Sequence, residues 1–179
     1  MDTSLSSGKS TGERIHSHIK VHPGVHFNEI VRELDLATGQ VQSHIRRLIR
    51  RNQVVERSIY GKTHYYTPSF DEWEQCHLAL ARRETPREIL FYLLEQGTTR
   101  PDTVANDIDI ARSTLEWHLT RLQEQDIIRK QQAETGNVEL AIIEPKRTVE
   151  LLARVTPTAS DKLADRFIRF VDRAFEPLE

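Results

Sequence analysis

Over residues 38–51 the apolar positions Val41, Ile45, Leu48 and Ile49 fall at i, i+4, i+7 and i+8, the stripe of a helix with one face in a core. The stripe returns 74 residues later, with Leu115, Leu119 and Leu122 standing where Val41, Ile45 and Leu48 stood. The match extends outward: Leu34 falls on Ile108, His44 on His118 and Val54 on Ile128. A correspondence of this length predicts a duplicated structural unit.

Punctuation residues divide each copy in the same way. STGE at residues 10–13 is a capping-box pattern: Ser10 can accept from the amide of Glu13 while Glu13 reaches back. A first helix is predicted from there to Val21, stopped by Pro23 and Gly24, and a second over residues 28–34 with Ile30, Val31 and Leu34 on one face. After a turn at Asp35 to Ala37, the third helix runs to about Arg51. Asn52 suits the left-handed conformation that ends it. QVVERSIYGKTHYYTP then alternates through two strand-forming runs around Tyr60, Gly61 and Lys62, which predicts a hairpin.

The second copy keeps this order. In TPRE, Thr85 is the predicted cap, Pro86 the first helical residue and Glu88 the closing carboxylate, and Gly97 ends that helix. Helices are predicted over residues 99–107 and 112–125, and IIRKQQAETGNVELAII as a hairpin turning near Glu134 to Asn137. Between the copies, SFDE predicts a linking helix over residues 70–83, capped by Ser69. Beyond Pro145, helices are expected over residues 147–155 and 160–175. On the last of these, Leu163, Phe167, Phe170, Val171 and Ala174 share one face.

Three helices followed by a hairpin is the order of a winged helix. IVRELDLATGQVQSHIRRLIRRNQVV and TVANDIDIARSTLEWHLTRLQEQDIIRK resemble the helix-turn-helix and first wing strand of ArsR-type and MarR-type winged-helix regulators. The whole chain is similar to archaeal regulators that carry two such units followed by an amphipathic helix. The expected fold is therefore mainly α with small β-hairpin wings: residues 1–10 disordered, 11–68 and 85–145 as tandem winged-helix domains, 69–84 as a linker helix, and 146–179 as C-terminal helices. The resemblance implies that the third helix enters a DNA major groove while the wing lies along the backbone or minor groove.

Charge bears on which copy would do so. The net charge of −2 conceals +4 over residues 1–70 and −5 over residues 85–145. With Val41 at the centre of the buried face, the outward side of the first copy's third helix carries Gly39, Ser43, Arg46, Arg47 and Arg50, with Gln40 at its edge. Arginine forks suit guanine edges and phosphates, glutamine suits adenine, and Gly39 and Ser43 allow close approach. The expected DNA contacts are Thr38, Gln40, Gln42, Ser43, Arg46, Arg47 and Arg50 from the helix, and Arg57, Tyr60 and Lys62 from the wing. In the second copy the same side presents Ser113, Trp117, Thr120, Arg121 and Glu124, with no net charge. A phosphate would be repelled there, and an exposed indole seeks cover. That copy is expected to serve protein contact, with Trp117 packed on the linking helix, the last helix or a second subunit. Phe167, Phe170 and Val171 are the other expected interface residues, most simply in a homodimer.

Other chemistries find little support. HSHIKVHPGVH holds His16, His18, His22 and His26, but no cysteine or carboxylate joins them in sequence, so they read as surface and inter-helix histidines and no metal is expected. His44 and His118 recur beside the buried stripe and read as packing residues with one hydrogen bond each. The single cysteine, Cys76, cannot form an internal disulfide and is expected to be a buried thiol. Neither a Gly-rich phosphate loop nor a catalytic motif occurs, so no enzyme and no cofactor is expected. No apolar run approaches the roughly 18 residues of a membrane span, and the opening MDTSLSSGKSTGER lacks the basic and apolar regions of a secretion signal. The cytoplasm is the expected compartment and double-stranded DNA the expected partner. Effector and operator stay open. The alternative is a winged-helix interaction module in a chromosome-organising or transcription-machinery complex.

Overall fold

The computed structural model of the chain describes residues 9–134 and 136–155. The chain divides after Asp71 into two compact units. In the first, α1 (Thr11–Val21), α2 (Phe27–Leu34) and α3 (Thr38–Arg50) are joined by β1 (Val25–His26), β2 (Val55–Ile59) and β3 (Lys62–Tyr66). The Ser10 amide donates to Glu13 Oε2 at 2.7 Å and the Glu13 amide to Ser10 Oγ at 3.3 Å, which is the capping box foreseen for α1. Arg14 on the same helix donates to the Leu34 carbonyl at 2.9 Å and so fastens the C-terminal end of α2. Ile15, Ile19, Val25, Ile30, Val41, Ile45, Leu48, Val54 and Tyr65 form the core.

The sheet has one strand more than the expected hairpin. Its order is β1-β3-β2, all antiparallel, with Val25 opposite Tyr65 and His26 opposite His64. Pro23 and Gly24 therefore do more than stop α1: they redirect the chain so that two residues pair with β3 before α2 begins.

The second unit contains α4 (Glu72–Ala81), α5 (Glu84–Gln96), α6 (Pro101–Asp107), α7 (Arg112–Glu124), β4 (Ile128–Gln132), β5 (Val138–Ile142) and α8 (Pro145–Val155). α4 is more than a link: Gln75 to Ala81 are all buried, Cys76 among them, and the helix packs on α5 and α8. Two capping expectations need correction. α5 is capped at Arg83 rather than Thr85, because the Arg83 carbonyl already accepts from the Arg87 amide at 3.2 Å. Ser69, expected to cap α4, lies three residues ahead of its start and shares a 3.0 Å hydrogen bond with Thr67.

The duplication is written in the backbone. α3 and α7 begin and end 74 residues apart. Left-handed Asp35 and Asn52 recur as left-handed Asp109 and Asp126, residue types whose short polar side chains tolerate φ near +50°. The Gln53 amide donates to the Leu48 carbonyl at 3.0 Å, and Ile127 to Leu122 at 2.9 Å, closing both third helices identically. The copies diverge in their wings. Tyr60 and Gly61, both at positive φ, make the two-residue turn that matches strand twist, whereas residues 133–137 link β4 to β5. The counterpart of β1 is a single bridge between Thr99 and Leu140.

The C-terminal helix expected over residues 160–175, with Phe167, Phe170 and Val171, lies outside the described residues, as do residues 1–8 of the N-terminal segment. Among the described residues, no helix is long and apolar enough to cross a membrane.

Candidate nucleic-acid interface

Burial of Val41, Ile45 and Leu48 fixes the rotation of α3, and at 100° per residue this turns its other side to solvent. Thr38, Gly39, Gln40, Gln42, Ser43, Arg46, Arg47 and Arg50 are all exposed. Among the described residues, no carboxylate pairs with Arg46, Arg47 or Arg50.

The three arginines do not face one way. Arg46 and Arg50 line a concavity of about 860 Å3 together with Gly39, Gln42 and Ser43. Ile45, Ile49 and Phe27 also line it, and Glu56 and Tyr65 contribute from the sheet. Burial, then the neighbouring Glu56 carboxylate, pushes the Tyr65 phenol above its ordinary pKa, so it remains a neutral donor. Arg47 faces a second hollow, shared with Lys9, His16, His44 and Arg51. Lys9 and Arg51, both exposed, thus extend the cationic surface. The helical projection missed them because Arg51 is the C-terminal cap of α3 and Lys9 precedes α1.

The wing residues are divided as well. Lys62 is exposed and lines a hollow beside the start of α2, with Arg32 and Asn28, rather than the α3 concavity. Arg57 and Tyr60 are half-buried, Arg57 pairing with His64 across the sheet and Tyr60 forming the turn.

On α7 the equivalent surface is already engaged. Arg112, in the place of Thr38, pairs with Asp102 and with Glu116 at 2.8 Å, and Lys130 reaches Glu116 at 2.7 Å. Burial works against the Glu116 carboxylate, but the hydrogen bonds from Lys130 and Arg112 outweigh it and hold its pKa below the usual range. Trp117 replaces Ser43 and remains 48% exposed. Its ring is stacked by Arg121 and touched edge-on by His118. His118 is buried, and burial, reinforced by Arg121 and Arg83, lowers its pKa. Its Nδ1 has no hydrogen-bond partner among the described residues.

Comparison with known proteins finds two helix-turn-helix matches along the chain. Residues 9–78 match a family model described as an N-terminal HTH domain, and residues 82–129 match one described as winged helix-turn-helix DNA-binding. Two helix-turn-helix units stand in tandem in this chain. Over 127 residues, 71% of its length, the chain is 24% identical to an uncharacterized HTH-type transcriptional regulator of Methanocaldococcus jannaschii. It spans about a third of that relative, 32%. Neither family description nor the relative's name is that of an enzyme.

Proposed function

We propose that this protein is a cytoplasmic DNA-binding transcriptional regulator that contacts duplex DNA with α3 and the β2–β3 wing of its first unit. The observation that carries this reading is the state of the arginines. Arg46, Arg47 and Arg50 project from α3 with no carboxylate partner among the described residues, while the matching side of α7 is neutralised or stacked. A helix of this diameter fits the major groove, where Arg46 and Arg50 can reach guanine edges and Gln40 or Gln42 adenine. Arg47, Lys9 and Arg51 on one side, and Arg57, Tyr60 and Lys62 on the wing, suit the flanking phosphates. Gly39 supports the same reading. Among the described residues nothing lies within 4 Å of where its Cβ would be, so glycine is not required there by packing in this first helical turn.

The regulator acts as a homodimer in this account, with Phe167, Phe170 and Val171 as the apolar contact and Trp117 as a further protein-facing residue. Two copies would read half-sites about 34 Å apart, one turn of the duplex. Binding of the full chain to labelled duplex at two salt concentrations tests the reading, since neutralised phosphates make affinity fall steeply with salt.

One observation favours a second reading, a protein-interaction module. The half-exposed Trp117 offers an aromatic anchor of the kind that interfaces favour. A folded chain that binds no duplex at low salt would select it.

A further inference from the structure

His18 lies in the third turn of α1, and His22 four positions on is its C-terminal cap, so both rings project from one side. Their centroids are 4.6 Å apart. α2 packs against this side of α1 and brings Glu33, whose Oε2 is 3.3 Å from Nε2 of His18. One nitrogen from each histidine and one carboxylate oxygen fall within 4.8 Å of one another. Donors bound roughly 2.1 Å from a tetrahedral ion stand about 3.4 Å apart. The His18–Glu33 pair already has that separation, and His22 and Glu33, neither fully buried, can close the remaining gap by small rotations.

We propose that His18, His22 and Glu33 bind one divalent transition-metal ion per chain, with water completing its coordination. Two imidazoles and one carboxylate favour zinc, cobalt or nickel over magnesium or calcium, which prefer all-oxygen sites. A plain His18–Glu33 hydrogen bond would not need the second imidazole on the same side. The other histidines are placed elsewhere: His16 lines the hollow beside α3, and His26 contacts the Thr63 carbonyl at 3.1 Å and stacks on His64. The site goes beyond the DNA-binding reading and does not depend on it. A bound ion would tie the C-terminal end of α1 to α2, the helix that leads through residues 35–37 into α3.

The test is a Co2+ titration of the untagged, chelator-stripped full chain, followed by visible absorption and by competition with a chromophoric chelator. One Co2+ should bind per chain and be displaced by Zn2+. His22→Ala and the isosteric Glu33→Gln should each weaken binding about tenfold or more, a loss at least as large as that from removing an outer-shell partner. His16→Ala should leave binding unchanged, and far-UV circular dichroism should show all three variants folded. Absence of saturable uptake, or uptake that neither His22→Ala nor Glu33→Gln weakens, overturns the proposal.

Discussion

The Arg121 guanidinium lies 3.3 Å from the centroid of the Trp117 ring and donates to the Trp117 carbonyl at 3.3 Å. The arginine that corresponds to Arg47 in the first unit is thus engaged by its own helix. Trp117→Ala should lower stability by about 1 kcal/mol, the loss of a partly exposed cation–π contact and some packing, as read by urea unfolding. Duplex affinity of the full chain should stay within about twofold, as for a surface change away from the interface. A much larger loss of affinity in the folded variant would place α7 on DNA.

Gly39 offers a test in which fold and binding move in opposite directions. A Cβ there meets nothing among the described residues, and alanine is the better helix former, so Gly39→Ala should raise stability by about 0.5–1 kcal/mol. The added methyl stands on the surface assigned to the groove, so duplex affinity should drop. Stability that rises with affinity untouched would show that DNA does not approach the first turn of α3.

Tyr60 holds a left-handed backbone, φ +48°, beside Gly61 at +77°. Asparagine tolerates this conformation better, so Tyr60→Asn should leave the hairpin at least as stable in thermal unfolding. A weaker, less salt-sensitive complex with duplex would then come from losing the tyrosine's contact with DNA. Unchanged binding would remove the wing tip from the interface.

Acid sensitivity should centre on His77. It is fully buried in α4 with neither ring nitrogen hydrogen-bonded among the described residues, and burial, then Arg147, lowers its pKa to about 3. The unfolded chain takes up a proton near pH 6.5 while the folded chain does not, so stability is full above that pH and falls as the pH drops toward 3. The loss from this residue between pH 7 and pH 5 should be about 2 kcal/mol. His118, also lowered by burial, adds in the same direction. His77→Leu should flatten the pH dependence of urea unfolding over this range. An unaltered profile would mean that other groups govern it.

Periodicity over a dozen residues made α3 legible: Val41, Ile45 and Leu48 set its rotation, and that rotation puts Arg46, Arg47 and Arg50 outside. The left-handed Asn52 and the Tyr60–Gly61 turn could be read from residue type. β1 could not, since two residues are too few to show alternation, and Val25 and His26 pair only because β3 arrives from 40 residues away. Nor could the fate of Arg112, whose partner Asp102 sits on a different helix. Glu33 likewise escapes a sequence reading of the histidines, being 15 residues from His18 until the turn at Pro23 and Gly24 folds α2 back. Local signals named the elements, and contacts between elements decided which charges remain available.

In the proposed complex DNA is held by the arginines of α3, which have no carboxylate partner among the described residues. The most direct measurement is the salt dependence of duplex binding by the full chain and by the variant Arg46→Ala, Arg47→Ala, Arg50→Ala, with folding checked by circular dichroism. The wild type should bind with a steep log–log salt slope, and the variant should lose most of its affinity, with a slope smaller by about 3, roughly one per phosphate contact removed. A folded variant that keeps both the affinity and the slope of the wild type would contradict the account.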